Sequence, residues 1–500
     1  MNYSEAREFC RSALTFGIRL GLERMYALLA LLDHPEKTLK VIHIAGTNGK
    51  GSTTLFCASI LAADNQKVGV YTSPYIERFT ERIRIIDGQA GLEQLARDES
   101  AGEISPADFA QIMTAIQSAV EQMLESGDEH PTEFELITAA ALTYFHNQGC
   151  DRVVLETGLG GRLDSTNVID QPERVIITAL GFDHMDRLGH TLPAIAAEKA
   201  GIIKAGCPVF LYDPRFACPK QPDEAADALA LIEQRCQELN APLTILGPPD
   251  VTTLRYQLDG QQFRFKGTFY ETRLLGLFQP LNAALAILAC QDLVNPCVAS
   301  PDPVQTGIAA TRWPVRLEVI PGPPLTLIDG AHNPQGCQAL GDALDRLLPG
   351  QPIVFLLGLL ADKDYPAMLE ALWHNRQFSV QSIVCVTPDN PRALPADQLA
   401  DFIRADLDRN SLDGPASGAF RINQPDASTV FELKRRSTSG YNSPDIVRSM
   451  NEPDQGMALA LSIATTESAA LCVFGSLYLV GRLRSWIRGT GRMTREDLFS

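Results

Sequence analysis

Cysteine pairs, long apolar runs and basic residues are what this chain has little of. Its eleven cysteines are scattered singly from Cys10 to Cys472, with no C-x-x-C pair. An odd, dispersed set does not make a disulfide framework and suits a reducing compartment. No uninterrupted apolar run reaches membrane-spanning length, and Met1 to Arg7 lack a basic region followed by an apolar core. No targeting signal and no membrane partner are expected, and a cytoplasmic location is. Lysine and arginine total 43 against 60 aspartates and glutamates, a formal charge of −17. That balance argues against a nucleic-acid-binding surface, so a phosphorylated ligand would have to meet a local cationic site. With 500 residues and 45% hydrophobic content, the chain can bury cores for at least two domains.

One stretch supplies such a cationic site. Val41-Ile42-His43-Ile44-Ala45 reads as a buried strand, Gly46-Thr47-Asn48-Gly49-Lys50-Gly51-Ser52 as a glycine loop, and Leu55 to Leu61 as the helix that follows. Glycines let backbone N–H groups approach an anion, a helix N-terminus adds partial positive charge, and Lys50 can reach terminal phosphates. The chemistry points to ATP. The match to G-x-x-x-x-G-K-[ST] fails twice: Ile44 stands where the first glycine belongs, and Gly51 follows the lysine, leaving Ser52 as the nearest hydroxyl. An ordinary glycine turn between strand and helix would look the same, and the rest of the chain has to decide.

Residues 3 to about 33 read as helical. Strands are expected at Lys67 to Pro74, Arg152 to Glu156 and Arg174 to Leu180, separated by helical segments, one of which opens at Thr132 with Glu135 at capping-box spacing. β-Branched runs without alternation suit a parallel sheet covered on both faces, and ligands of such sheets sit beyond the carboxyl ends of the strands. The four strands end at Lys50, Ser73, Glu156 and His184: a cation, a hydroxyl, a carboxylate and an imidazole. Singly, each has a structural explanation as a cap or turn residue. Together they suit a nucleotide and its metal, although imidazole is an unusual Mg²⁺ ligand. Gly158-Leu159-Gly160-Gly161 does not make a dinucleotide fingerprint, because Leu163 replaces the last glycine. Thr191 to Lys204 reads as a helix whose Lys199 is, by default, solvated or snorkelling.

A boundary is expected near Thr311 to Pro314. Beyond it, strands again end in polar turns: Leu325 to Ile328 before Asp329-Gly330-Ala331-His332-Asn333-Pro334, and Ile353 to Gly358 before Ala361-Asp362-Lys363-Asp364. Residues 406–456 turn polar and read as an insertion or mobile loop. Leu471 to Ser476 reads as the closing strand.

These motifs, in this order, resemble the folylpolyglutamate synthases and dihydrofolate synthases, relatives of the Mur ligases. The resemblance covers nearly the whole chain except the polar stretch, and the two departures from the P-loop pattern are features of that family's own loop. It implies an α/β protein in two parts: a P-loop ATPase domain with a central, mainly parallel sheet (residues 1–311) and a smaller Rossmann-like domain (312–500), with catalysis in the cleft between them. It also implies roles. Ser73, Glu156 and His184 would hold Mg²⁺ with Ser52 assisting, and Gly46 through Ser52, Asn282, Arg316 and Asp329 would contact ATP. His332 lies beside them in its motif, and Lys199 matches a lysine carbamylated by CO₂ in many members. Thr132, Glu133, Phe134 and Glu135 fall where the pteridine-bearing substrate binds. The expected chemistry is ATP-dependent amide ligation through an acyl phosphate, with Lys50, Glu156, His184, Lys199, Asp329 and His332 as the catalytic set. The substrates would be L-glutamate with dihydropteroate or a reduced folate, and the enzyme a monomer. A Mur-type ligase acting on a cell-wall precursor is the rival enzyme, disfavoured by Gly51 and by Asp329 to Pro334. A non-catalytic ATP-binding regulator would have lost Glu156, His184 or Asp329, and a P-loop motor would need a coupling domain.

Overall fold

Val41 to Ala45 (β1) is apolar but for His43 and buried along its whole length, which places it inside a sheet rather than at an edge. In the computed structural model, which describes residues 1–17, 19–295, 302–373, 376–412 and 446–489, the chain divides into two compact units. The first comprises Met1–Thr253, Phe263–Thr272 and Gln279–Arg312.

Its sheet contains β1, Lys67–Tyr71 (β2), Ile83–Asp87 (β3), Arg152–Glu156 (β4), Arg174–Ile177 (β5), Val209–Tyr212 (β6) and Leu243–Leu246 (β7), in the order β3-β2-β4-β1-β5-β6-β7. All neighbours are parallel except β3, an edge strand antiparallel to β2. The sequence reading passed over β3. Because β2, β4, β1 and β5 are adjacent and parallel, their carboxyl ends open on one edge of the sheet. The register, Ile44 beside Glu156 and Ala45 beside Ile177, sets the glycine loop between the ends of β4 and β5.

Helix Lys50–Ala63 has every residue from Gly51 to Ala62 buried. A helix buried on all sides lies inside a core, where each Leu, Ile or Phe contributes about 2 kcal/mol by burial. Helix Glu133–Asn147 begins where the spacing predicts, with Thr132 as its cap and a complete capping box to Glu135. The N-terminal segment is not one helix. Tyr3–Ser12 and Glu23–Leu31 are separated where Gly17 and Gly21 take φ of +64° and +139°. Three short strands, Val251–Gln257 (β8), Gly260–Phe265 (β9) and Thr268–Thr272 (β10), follow β7.

The second unit comprises Leu254–Gln262, Arg273–Phe278 and the chain from Trp313 onwards. Two segments from before residue 311 therefore group with it. Tyr256, Leu258 and Leu275 pack in its core, and the buried Gln261 donates Nε2–H to the carbonyls of Leu274 (2.6 Å) and Gly276 (3.1 Å). Its sheet joins Glu318–Ile320 (β11), Thr326–Ile328 (β12), Pro352–Leu357 (β13), Ser379–Val386 (β14), Val447–Met450 (β15) and Ala470–Phe474 (β16), in the order β11-β12-β16-β13-β14-β15. Only β11 is antiparallel. β16 is last in the chain but central in the sheet, so it closes the fold from within. The stretch 406–456 is not wholly an insertion: 406–412 end helix Ala396–Leu412, Val447–Met450 is an edge strand, and helix Pro453–Thr466 begins inside it. Residues 413–445 of that stretch lie outside the described residues.

Candidate active site

The glycine loop is held from below by the segment after β5. Thr47 and Asn48 donate their N–H groups to the carbonyl of Ala179 (2.9 and 3.2 Å), and the Thr47 hydroxyl donates to that of Gly181 (3.0 Å). Gly49 stands at φ +90°, and a Cβ there would lie 2.6 Å from Asn282 Oδ1, so conformation and space both require glycine. Gly51 and Ser52 fall in the first turn of helix Lys50–Ala63, whose N-terminal dipole faces the loop. Gln279, to which the sequence reading assigned no role, joins two expected ATP-binding groups. It donates Nε2–H to Ser52 Oγ (3.2 Å) and accepts from Asn282 Nδ2 (3.1 Å). Its only local signal is a polar side chain opening an otherwise apolar helix, three residues before Asn282.

Two ammonium groups converge on one carbonyl. Lys50 Nζ donates to Gly46 O at 3.2 Å and Thr47 O at 3.4 Å, and Lys199 Nζ donates to Gly46 O at 2.9 Å. Lys199 is buried rather than solvated, because the helix that carries it, Leu192–Ala200, is docked by the glycine turn after β4. There, Arg162 N–H donates to Glu198 O at 2.7 Å. Burial, and next the charge of Lys50, pull the Lys199 pKa down to about 7, against the opposing pull of Asp183, Asp164 and Glu198. The turn itself is shaped by Asp164, which accepts from the N–H groups of Leu159 (2.7 Å) and Thr166 (3.0 Å) and whose carboxyl pKa burial raises. The Thr166 hydroxyl donates to Asp164 Oδ1 at 2.5 Å, so His43 Nε2, 2.9 Å from Thr166 Oγ1, is the donor of that contact. His43 is neutral, its pKa pulled to about 3 by burial and the Lys204 charge.

Glu156 is buried at the end of β4 and accepts the N–H of Ser73 at 3.3 Å. His184, at φ +51°, donates its N–H to Asp183 Oδ1 (2.9 Å), and its ring Nε2 lies 3.9 Å from the same oxygen with the side chain 45% exposed. Among the described residues no three His, Cys, Asp or Glu side chains gather as a metal cage. A carboxylate with hydroxyls beside a phosphate loop fits Mg²⁺, which keeps waters and takes phosphate oxygens rather than needing a protein cage. Lys50 at the N-terminus of its helix fits the triphosphate.

Of the segment expected to meet the pteridine, Glu135 is already used by the fold. Its Oε2 accepts from Thr132 N–H (2.7 Å) and hydroxyl (3.0 Å), and Arg24 bridges both oxygens at 3.1 and 3.0 Å. Phe134 lies over Gly158, with its ring 6.0 Å from that of Tyr71. Glu133 is partly buried, which raises its pKa against the pull of Arg82 and Arg7.

In the second unit, Asp329 follows β12 and is half-buried, and its desolvation raises its pKa against the pull of Arg316. It accepts the N–H groups of Leu317 (2.7 Å) and Ala331 (2.8 Å). His332 Nδ1 sits 2.7 Å from Gly330 O. A carbonyl can only accept, so Nδ1 carries the proton. Asn333 caps helix Pro334–Leu347 through Gly336 N–H (2.8 Å). Arg316 lies between two non-glycine residues in the left-handed region, Val315 (φ +58°) and Leu317 (φ +49°), each worth about 1–3 kcal/mol of strain.

Residues 44–211 match the Mur ligase middle domain and 315–426 the Mur ligase glutamate ligase domain. A dihydrofolate synthase/folylpolyglutamate synthase of Bacillus subtilis is 37% identical over 408 residues, covering 80% of this chain and 88% of that protein. A Mycobacterium tuberculosis folylpolyglutamate synthase complexed with ADP and AMPPCP superposes with a TM-score of 0.76 at 26% identity, covering 97% and 99% of the two chains. A folylpolyglutamate synthase–AMPPCP–folate complex superposes with a TM-score of 0.70 at 30% identity, over 97% and 100%. The fold and the phosphate loop define an ATP-dependent acid–amino-acid ligase built from Mur-type domains. Within that class, the chain belongs to the folylpolyglutamate synthase/dihydrofolate synthase family.

Proposed function

We propose that this enzyme joins L-glutamate to dihydropteroate, to the γ-carboxylate of a reduced folate, or to both, through an acyl phosphate. The observation that carries the reading is the convergence of Lys50 and Lys199 on the Gly46 carbonyl, at a helix N-terminus flanked by the strand end that bears Glu156. ATP supplies the phosphoryl group that activates the carboxylate, and Mg²⁺ neutralises charge on the phosphates.

The chain's own residues position and neutralise. Lys50 and the N–H groups of its helix would bind the phosphates. Ser52, held by Gln279, and Glu156 with Ser73 and His184 are the groups we assign to the metal. Lys199, its pKa pulled down to about 7, has a substantial neutral fraction at neutral pH and is a nucleophilic amine suited to capturing CO₂ as a carbamate with loss of a proton, which would turn a cation into a carboxylate-like anion. We assign Arg316 and Asp329, like Asn282, to the nucleotide, and His332 to substrate orientation. Glu133 and Phe134, rather than Glu135, are the pteridine-facing members of their segment. A cytoplasmic location is supported by ten described cysteines, all free thiols.

The test is ADP release with ATP, Mg²⁺ and L-glutamate, with dihydropteroate and tetrahydrofolate compared as acceptors. Release with both assigns a bifunctional synthase, and release with one assigns the corresponding single activity. No folate-dependent release with either would refute the proposal in favour of another acceptor.

A further inference from the structure

The turn that carries Arg316 is strained and clamped at once. Val315 and Leu317 hold left-handed φ values of +58° and +49° on either side of it. For a β-branched and a γ-branched residue such backbone is a true outlier, kept only when the surroundings over-determine it. Here the backbone groups of the turn are tied to partners outside it. Val315 N–H donates to Glu318 Oε2 (2.9 Å), Val315 O accepts from Gly330 N–H (3.0 Å), and Leu317 N–H donates to Asp329 Oδ2 (2.7 Å). Glu318 is gripped in turn by Arg484 of helix Leu477–Gly489, Nε to Oε2 and Nη2 to Oε1, both at 2.7 Å. Arg484 is 1% exposed. A buried pair of this kind is weak evidence for stability, since apolar residues of equal volume often serve as well. Gly330 completes the clamp: a Cβ there would lie 2.5 Å from Arg316 Nη1 and 2.7 Å from Leu477 Cδ2.

We propose that Arg484 and Glu318 are positioning residues for Arg316: their bidentate pair, with Gly330 leaving room, holds a strained turn so that the Arg316 guanidinium is preset for the anionic nucleotide. This rests on the assignment of Arg316 to the nucleotide.

The test uses the full chain with Arg484→Lys, Glu318→Gln, Gly330→Ala, Arg316→Ala and the double variant Arg316→Ala/Arg484→Lys. Folding is followed by thermal unfolding, ADP affinity by calorimetry, and kcat and KM for ATP by ADP release. Arg484→Lys keeps the charge but loses the fork, and Glu318→Gln keeps the acceptor for Val315, so one can carry the test if the other does not fold. The expected result is a loss of about tenfold or more in ADP affinity or in kcat/KM for ATP in each single variant, with KM for glutamate unmoved. The double variant should be no worse than Arg316→Ala within about twofold, the signature of one residue acting through another. If Arg316→Ala is itself damaging while the clamp variants lower only the melting temperature, or if the losses multiply in the double variant, the positioning role is overturned. A neutral Arg316→Ala overturns the nucleotide assignment and the clamp with it.

Discussion

Replacing Lys199 by methionine should make this protein more stable at neutral pH while destroying its activity. The amine has a pKa of about 7 in the fold against 10.5 for an ordinary lysine. Between those values the unfolded chain holds a proton that the native lysine has shed, so stability rises with pH across that window and the cost is complete below pH 7. At about 1.4 kcal/mol per unit, the burden is on the order of 4 kcal/mol at pH 7. Methionine of similar length removes it and forfeits the bond to Gly46 O, worth about 1 kcal/mol; that carbonyl keeps Lys50 as a donor. The variant should gain on the order of 3 kcal/mol at pH 7, shrinking toward zero near pH 10. The assay is urea unfolding in CO₂-free buffer, with far-UV circular dichroism reporting both units. The three tryptophans, Trp313, Trp373 and Trp486, all lie in the second unit, so their fluorescence follows that unit separately. A gain that does not change between pH 7 and 10, or a variant less stable than wild type at pH 7, would refute the reasoning. In ¹³CO₂-saturated buffer, a carbamate carbon resonance present in wild type should be absent from the variant.

Gly49→Ala should raise KM for ATP by about tenfold or more and cost about 1 kcal/mol of stability, because the Cβ meets Asn282 Oδ1 at φ +90°; ADP calorimetry and thermal unfolding check both. Glu156→Gln should leave folding intact, since Ser73 N–H retains an acceptor, yet lower kcat by about a hundredfold or more. A near-normal ligation rate in that variant would sink the metal role. Arg24→Ala should cost about 3 kcal/mol, because it strands the buried Glu135 carboxylate. Its KM for the pteridine substrate should change less than in Glu133→Gln, measured by the same ADP-release assay.

What local pattern could reach, it reached. β-Branched runs leading to Lys50, Ser73, Glu156 and His184 announced parallel strands, because strand burial on both faces is written in consecutive residues. The Thr132–Glu135 capping box lies within one helical turn and read true for the same reason. β3 escaped notice because its Arg84, which looks like a solvent residue, is buried and paired to Glu103 at 3.2 Å.

The motifs and their order were enough to settle the family, the P-loop, the two-part architecture of parallel sheets and the reaction class. Contacts across long chain separations settled the rest. A single lysine on a small, apolar helix is the same string whether it is wet or buried, and Lys199 became a depressed-pKa amine only when its helix met Gly46, 153 residues away. Gln279 gained its role from Ser52, 227 residues distant, and Arg484 from Glu318, 166 residues distant. Burial, and the dielectric that shifts a pKa or strengthens an ion pair, belong to the packed neighbourhood of a residue and not to its neighbours in the chain.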